Sequence, residues 1–261
     1  MLIAQLSDLH VLPHGALAYG VVETNPFVER AFKAVAALDP KPEIVILSGD
    51  LTDHGTDEEY DILADMIRRH LPMPVYLIPG NHDRREGIKA RLGHLPGVAS
   101  DPRFVQYAVE DLPVRLVMLD SIVPEQGHGE FCAERLAFLD RMLSAAPQKP
   151  TIVVLHHPPV TIGISLMDPI RLVDGDPLAA VLGRHPHVLA TLVGHAHTMC
   201  TTTFAGRPLL IGGGVVSTVP LDAEPLRIVW YDGPPTLALH LVDDSDGAPR
   251  VTTHWRALPL E

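Results

Sequence analysis

Short apolar runs recur along the first three quarters of the chain, and each run is closed by polar or turn-forming residues. The runs are LIAQL before Ser7-Asp8, EIVIL before Ser48-Gly49-Asp50, PVYLI before Pro79-Gly80, VRLVML before Asp120, TIVVL before His156-His157 and VLATLV before Gly194-His195. Continuous aliphatic and β-branched runs of this length are typical of strands that are buried on both faces of a sheet. The pattern therefore predicts a buried strand at each of these places.

Apolar residues at helical spacing fill several of the segments between the runs. The pair Asn25-Pro26 predicts a helix start with Asn25 as the N-cap. Thr56 and Glu59 form a capping-box pattern, which predicts a second helix. Further helices are predicted after Glu134 and from Asp176-Pro177 onward. Strands that alternate with helices indicate an α/β fold in which the helices cover the sheets.

The pattern changes after about residue 201, where strand-like runs follow one another without long helices. Predicted strands cover residues 201–204, 209–211, 215–218, 226–231, 237–242 and 251–255, and residues 232–235 are predicted to form a turn. We expect these strands to be antiparallel and to complete the core. Because no linker, repeat or low-complexity tract is evident, we expect one domain over residues 1–261, with residues 201–261 contributing mainly antiparallel strands.

The charge and cysteine content narrow the range of partners. The chain has 20 basic and 32 acidic residues, a formal net charge of −12, so nucleic-acid polymers and anionic membrane surfaces are not expected to bind it. The two cysteines predict no disulfide framework, and a reducing cytoplasmic location is expected. The sequence shows no signal-peptide pattern, and no apolar stretch approaches the length of a membrane span.

Polar residues with metal-binding side chains follow the carboxyl ends of five of the predicted strands. The candidate ligands are Asp8, His10, Asp50, Asn81, His156, His195 and His197. Strand ends of this kind lie side by side in α/β sheets, so we expect these side chains to meet. Imidazole, carboxylate and amide ligands suit transition metals, and seven of them are too many for one tetrahedral ion. Two ions are expected to share Asp50, since Gly49 leaves room beside it.

The five blocks resemble the signature of the calcineurin-like binuclear metallophosphoesterases. They are Asp8-Leu9-His10, Gly49-Asp50, Gly80-Asn81-His82-Asp83, His156 and Gly194-His195-Ala196-His197, in the order in which the family has them. Within the family, the stretches SDLH, LIPGNHD and HHPP resemble the branch of bacterial glycerophosphodiesterases and class III cyclic-nucleotide phosphodiesterases. The resemblance implies a layered α-β-β-α sandwich with two mixed sheets flanked by helices.

The resemblance also implies a ligand set for each ion. One ion would be held by Asp8, His10, Asp50 and His197, and the other by Asp50, Asn81, His156 and His195. A hydroxide would bridge the two ions, which the family draws from manganese, iron, zinc or cobalt. His82 would face the substrate as a catalytic acid or as an electrostatic stabiliser, and Asp83 is expected to orient it.

The expected activity is hydrolysis of a small phosphodiester, a glycerophosphodiester or a 3′,5′-cyclic nucleotide. From their loop positions, four residues are expected to contact this substrate. They are Tyr19, Asp53, His54 and Asp168. The family resemblance further implies a homo-oligomer.

Other interpretations of the same motifs stay open. A phosphomonoesterase or protein phosphatase would share the metal core, although no evident Arg or Lys pair at the core motifs favours a dianionic phosphate. A non-catalytic scaffold of the same fold would be expected to lack ligands, and a nuclease would be expected to carry a basic stripe. His157 is expected to pack or support a ligand rather than bind metal, and Gly212-Gly213-Gly214 is expected to form a turn or bulge.

Overall fold

The computed structural model describes residues 1–221, 229–230 and 236–257, which form thirteen strands and five α-helices. The strands are β1 (Leu2–Leu6), β2 (Ile44–Leu47), β3 (Val75–Leu77), β4 (Tyr107–Val109), β5 (Arg115–Met118), β6 (Thr151–Val154), β7 (Val188–Val193), β8 (Cys200–Phe204), β9 (Arg207–Ile211), β10 (Ser217–Thr218), β11 (Val229–Trp230), β12 (Thr236–Asp243) and β13 (Arg250–Ala257). The helices are α1 (Asn25–Ala36), α2 (Asp57–His70), α3 (Arg85–Leu92), α4 (Ala133–Ala145) and α5 (Asp176–Gly183).

Two mixed sheets form the centre of the molecule, as the sequence predicts. One has the order β13-β12-β1-β2-β3, and the other has the order β4-β5-β6-β7-β9-β8. Strands β1, β2 and β3 run parallel, and so do β5, β6, β7 and β9. In the first sheet, β12 pairs antiparallel with both β1 and the edge strand β13, and in the second sheet the edge strands β4 and β8 pair antiparallel with their neighbours.

The core lies between the sheets and under the helices. A large apolar cluster joins Ile3 and Ile46 of the first sheet to Val154 and Leu192 of the second, and it extends to helices α1 and α2. A separate cluster packs α4 and α5 against the second sheet. This arrangement is a layered α-β-β-α fold, which confirms the predicted fold class. None of the helices in the described residues is both long and apolar enough to cross a bilayer.

The structure confirms the predicted helices after Glu134 and from Asp176-Pro177 as α4 and α5, and it also tests the predicted caps of the other two helices. Thr56 and Glu59 form a complete capping box at the start of α2, as predicted. The prediction for α1 was wrong in its cap, because Thr24 is the N-cap residue. The side-chain amide of Asn25 instead bonds both main-chain groups of Leu12, and so it holds the loop after β1 against the helix.

The strands after residue 201 differ in one respect from the expectation. Strand β9 lies between β7 and β8 and runs parallel to β7, since the tight β8-β9 hairpin turns the chain back into that direction. Of the predicted strand 226–231, only Val229–Trp230 is described, as β11. The predicted turn at residues 232–235 lies outside the described residues. Extension of a single domain over all of residues 1–261 stays a prediction.

Candidate metal centre

The candidate ligands follow strands β1, β2, β6 and β7 and the loop after β3, where the backbone turns sharply. Five of these residues have a left-handed backbone conformation, with φ of 57° at Asp8, 44° at His10, 47° at Asp50, 67° at His195 and 52° at His197. Such angles are uncommon outside glycine and asparagine, and each costs on the order of 1–3 kcal/mol. Strain concentrated at one edge of the sheets is typical of a functional site.

Four of the ligands form the first group. The metal-binding atoms of Asp8, His10, Asp50 and His197 all lie within 4.8 Å of one another, and all four residues are buried. Nε2 of His197 is 3.4 Å from Oδ1 of Asp8 and 3.4 Å from Nε2 of His10. Two imidazole nitrogens and two carboxylates therefore face a common point.

A second group lies on the other side of Asp50. Oδ2 of Asp50 is 3.4 Å from Nε2 of His156, and the ring centroids of His156 and His195 are 5.0 Å apart. His157 joins this group by distance, because its ligand atom is within 4.8 Å of those of His156 and His195. Its Nδ1 is 2.8 Å from the hydroxyl of Ser121. Asp50 thus lies between the two groups, as a shared ligand must.

Several buried side-chain oxygen and nitrogen atoms have no hydrogen-bond partner among the described residues. They include Asp8 Oδ1, Asn81 Oδ1, His156 Nε2 and His195 Nε2. Leaving one such group unsatisfied costs about 1–3 kcal/mol, so a cluster of them needs a ligand. Oxygen and imidazole nitrogen atoms left free in this way suit two transition-metal ions. The residues present fit the binuclear centre that the sequence predicts.

Hydrogen bonds behind the imidazole rings point their other nitrogens toward the centre. Nδ1 of His10 is 3.0 Å from Oδ1 of Asp53, and Nδ1 of His156 is 2.8 Å from the main-chain oxygen of Ser48. Nδ1 of His197 is 2.5 Å from the hydroxyl of Ser217. Each contact fixes the orientation of the ring and leaves Nε2 free, which is the usual arrangement around metal-binding histidines.

The charges within the cluster shift the pKa values of its members. Burial alone would raise the pKa of Asp50, but the His156 and His82 rings hold it well below its ordinary value. Burial would lower the pKa of His156, yet Asp50 raises it to about 9. Burial and the neighbouring His156 lower the pKa of His195 well below its ordinary value. Asp50 therefore stays ionised between the two groups of ligand atoms.

Glycines beside Asp50 provide the space that this packing needs. A Cβ atom at Gly49 would lie 2.3 Å from Nδ1 of His156, and one at Gly80 would lie 2.2 Å from the main-chain nitrogen of Asp50. Gly49 also has φ of 101°, which side chains rarely adopt. The room that the sequence predicted at Gly49 is taken by the His156 ring, so the glycine brings the two ligands together.

His82 lies at the mouth of the centre. Its main-chain nitrogen donates to Oδ1 of Asp50 at 2.9 Å, and its Nδ1 donates to the main-chain oxygen of Asp53 at 2.8 Å. The expectation that Asp83 orients His82 was wrong. Asp83 instead accepts hydrogen bonds from the amides of Leu51, Thr52 and Gly80. These bonds connect the loops that follow β2 and β3.

The four predicted substrate contacts occupy different surroundings. Tyr19 lines a cavity of about 230 Å³ over the ligands, and His54 lines a neighbouring cavity. The carboxylate of Asp53 forms a hydrogen bond with Nδ1 of His10. The carboxylate of Asp168 accepts hydrogen bonds from the amides of Ile162 and Gly163, and these bonds stabilise its own loop. Neither Asp53 nor Asp168 lines these two cavities, and contact of either residue with substrate stays a prediction.

Sequence reasoning missed the residues that support His197. Ser217 contacts its Nδ1, and a Cβ atom at Gly214 would lie 2.9 Å from the same nitrogen and 2.5 Å from the main-chain oxygen of Ser217. The run Gly212-Gly213-Gly214 therefore allows the chain to pass close behind the ligand. The glycine run was the only signal in the sequence, and it does not identify which ring it serves.

The sequence is similar to characterised families over most of its length. The calcineurin-like phosphoesterase family profile matches residues 1–199. A probable glycerophosphodiester phosphodiesterase of Arcobacter nitrofigilis is 34% identical over 97% of this chain and 92% of its own. A probable cyclic nucleotide phosphodiesterase of Synechococcus sp. is 31% identical over 97% of this chain and 91% of its own.

Solved structures agree with the fold. A dimetal phosphatase of Danio rerio superposes with a TM-score of 0.65 over 99% of both chains, at 16% sequence identity. At this identity the likeness shows the shared fold alone. The two mixed sheets and flanking helices are therefore an architecture known among dimetal phosphatases.

Proposed function

Because the chain belongs to the calcineurin-like phosphoesterase family, we propose that it hydrolyses small phosphodiesters with the help of two metal ions. Glycerophosphodiesters and 3′,5′-cyclic nucleotides are the substrate classes that the names of its relatives support. The observation that carries the proposal is the placement of Asp50 between two groups of buried ligand atoms, several of them without a hydrogen bond.

Each ion takes one of the two groups in this proposal. One ion binds Asp8, His10, Asp50 and His197, and the other binds Asp50, Asn81, His156 and His195. The close distances within the first group and the orphaned atoms of Asn81, His156 and His195 support the assignment. The proposal keeps His157 as a neighbour of the second group on the family resemblance. Its Nδ1 contacts Ser121, and its Nε2 has no hydrogen bond within the described residues, as at the ligand histidines.

The ions, when bound, supply positive charge for the phosphate oxygens and lower the pKa of water toward neutrality. The residues of the chain do the rest. Asp50 and the histidines fix the centre, while the main-chain oxygen of Asp53 accepts from His82 Nδ1, so Nε2 of His82 is the atom that can exchange a proton with the leaving oxygen. General acid catalysis of this kind is worth about 10²–10⁴-fold.

Other features of the protein follow from the same assignment. We propose manganese, iron, zinc or cobalt as the ions, because nitrogen and oxygen ligands suit them. Cys132 and Cys200 are both free thiols, which supports a cytoplasmic location. A homo-oligomer is proposed on the resemblance to the family alone.

The phosphomonoesterase alternative needs a cationic pair for a dianionic phosphate. Arg84 and Arg85 are such a pair directly after the Asn81-His82-Asp83 block, and the sequence argument overlooked them. Arg85 is occupied, however, because its guanidinium bonds the buried carboxylate of Asp120 at 2.7 and 2.8 Å. Of the two arginines, only Arg84 has a guanidinium without a partner among the described residues, so this motif offers no pair of free cations for a dianionic phosphate.

The experiment that tests the proposal is a substrate panel on metal-stripped protein with each ion added back. Bis(p-nitrophenyl) phosphate is compared with p-nitrophenyl phosphate, and both are compared with protein that has no metal. We expect metal-dependent cleavage that is faster for the diester. Faster cleavage of the monoester would support the phosphatase alternative, and no cleavage with any ion would support a scaffold.

A further inference from the structure

A second cavity adjoins the cavity over the metal ligands. The first has a volume of about 230 Å³, the second has about 540 Å³, and Asn81 and His82 line both of them. These two residues therefore stand where the cavities meet. The candidate proton donor His82 is within reach of groups on either side.

The two cavities differ in chemistry. Leu166, Met167 and Ile170 line the first cavity together with the ligand residues. The lining of the second is polar or charged except at Ile122 and Pro124. An apolar group placed in the second cavity would desolvate charged side chains without replacing their hydrogen bonds, which is unfavourable.

Within the second cavity, the two arginines have different tasks. Arg85 is fixed by Asp120 and by the main-chain oxygen of Ile122. The stem of Arg84 passes beside Gly55, where a Cβ atom would lie 2.6 Å from its Cγ. Within the described residues the guanidinium of Arg84 has no ion pair or hydrogen bond. Its donors are therefore available to a ligand.

Two carboxylates complement this donor. Glu86 and Glu125 also line the second cavity, and neither forms an ion pair within the described part of the chain. A ligand that satisfies both the arginine and the glutamates must offer acceptors and donors at once. Hydroxyl groups do so, whereas a purely anionic group would be repelled by the glutamates.

We propose that the second cavity is the subsite for the leaving alcohol of a linear phosphodiester, that it accepts a short polyhydroxylated alcohol, and that Arg84 is its specificity-determining residue. The inference rests on the proposed phosphodiesterase function. A linear diester has two separate arms, which fit two cavities that meet at His82. A cyclic diester carries both ester oxygens on one sugar and so does not need a separate subsite for a departing alcohol.

The reaction that this placement serves is an ordinary hydrolysis. An oxygen of water forms a bond to phosphorus, and the bond from phosphorus to the ester oxygen of the leaving arm breaks. The leaving oxygen receives the proton that water gives up, so the products are an alcohol and a phosphomonoester. No oxidant or further reactant is required.

The test compares Arg84→Ala with the wild-type enzyme on two substrates. The substrates are the diester of phosphate with two glycerols and 3′,5′-cyclic AMP. Because the variant loses the charge-assisted hydrogen bonds from Arg84 to the hydroxyl groups, we expect the KM for the glycerol diester to rise about tenfold relative to the KM for cyclic AMP. The kcat values should change much less. Arg84→Lys should recover part of the effect.

Arg91→Ala is the matched control, since Arg91 lies in α3, the helix that follows Arg84, and pairs with Asp57 on the surface. It should leave both KM values unchanged. Equal changes in both KM values with Arg84→Ala, or no change in either, would overturn the inference while leaving the phosphodiesterase function intact. If the wild-type enzyme with added metal cleaves neither substrate nor bis(p-nitrophenyl) phosphate, the proposed function itself fails.

Discussion

The main-chain oxygen of Asp53 lies 2.8 Å from Nδ1 of His82. A carbonyl oxygen only accepts hydrogen bonds, so Nδ1 carries the hydrogen and Nε2 is the atom that exchanges protons. The side chain of His82 is 30% exposed, whereas the candidate ligands His10 and Asp50 beside it are buried. The ring is therefore held in one orientation and still reaches a bound substrate.

Replacement of His82 should separate catalysis from metal binding. We expect His82→Ala to lower kcat on a diester by about 10²–10⁴-fold, because the leaving oxygen loses its proton donor. Metal content should stay at the wild-type value, since His82 is outside both ligand groups. Steady-state kinetics and metal analysis of the same preparation check both points. His94→Ala, an exposed histidine remote from both cavities, serves as the control.

Asp53 gives a prediction that distinguishes a supporting residue from a substrate contact. Its carboxylate bonds His10, and loss of such partners typically lowers metal affinity by about 10–100-fold. We expect Asp53→Ala to weaken Mn²⁺ binding, measured by calorimetry, with little change in KM once the metal is saturating. A raised KM with normal metal affinity would contradict this supporting role and would favour the sequence-based prediction that Asp53 contacts substrate.

The motif residues could be predicted because parallel strands end at the same edge of a sheet. Asp8, Asp50 and His156 each follow a buried apolar run, and the chemistry of their side chains indicated a metal centre before any distances were known. The separation of the ligands in the sequence did not matter, because strand order alone brings them together. The capping box at Thr56 was predictable for a different reason, since it depends only on local residues.

Other features depended on tertiary contacts that no local pattern encodes. Helix α3 was missed because its apolar positions are few, and Ile88 and Leu92 are buried by neighbouring elements. Asn25 was misread as a cap because its amide finds a partner thirteen residues away, at Leu12. Asp53 and Asp168 were assigned to the substrate mouth from their loops, and the sequence could not show their hydrogen bonds to His10 and to the amides of Ile162 and Gly163.

His240 and Gln5 form a buried hydrogen-bonded pair, and the titration of His240 predicts how the stability of the fold depends on pH. His240 is buried, bonds Oε1 of Gln5 at 2.9 Å, and has a pKa lowered to about 3 by burial. The unfolded chain binds a proton near the ordinary value of 6.5, so acid favours unfolding. This group therefore contributes stability above about pH 6.5 that is lost as the pH falls toward 3.

Because of His240, the free energy of unfolding is expected to fall by about 2 kcal/mol between about pH 7 and about pH 5. Urea unfolding of the wild-type protein and of His240→Gln at the two pH values measures it, because the glutamine cannot titrate. The difference in unfolding free energy between the wild type and His240→Gln should be smaller at the lower pH. The exposed His254→Gln should follow the wild type, and an identical pH dependence in all three proteins would refute the assignment.

Titration of metal-free protein with Mn²⁺ tests the central claim most directly, because it counts the ions that the two ligand groups bind. The account predicts two ions per wild-type chain, impaired binding of both in Asp50→Ala, and normal binding in Asp111→Ala, whose side chain is exposed. A wild-type chain that binds fewer than two ions, or an Asp50→Ala variant that binds two with unchanged affinity, would contradict it.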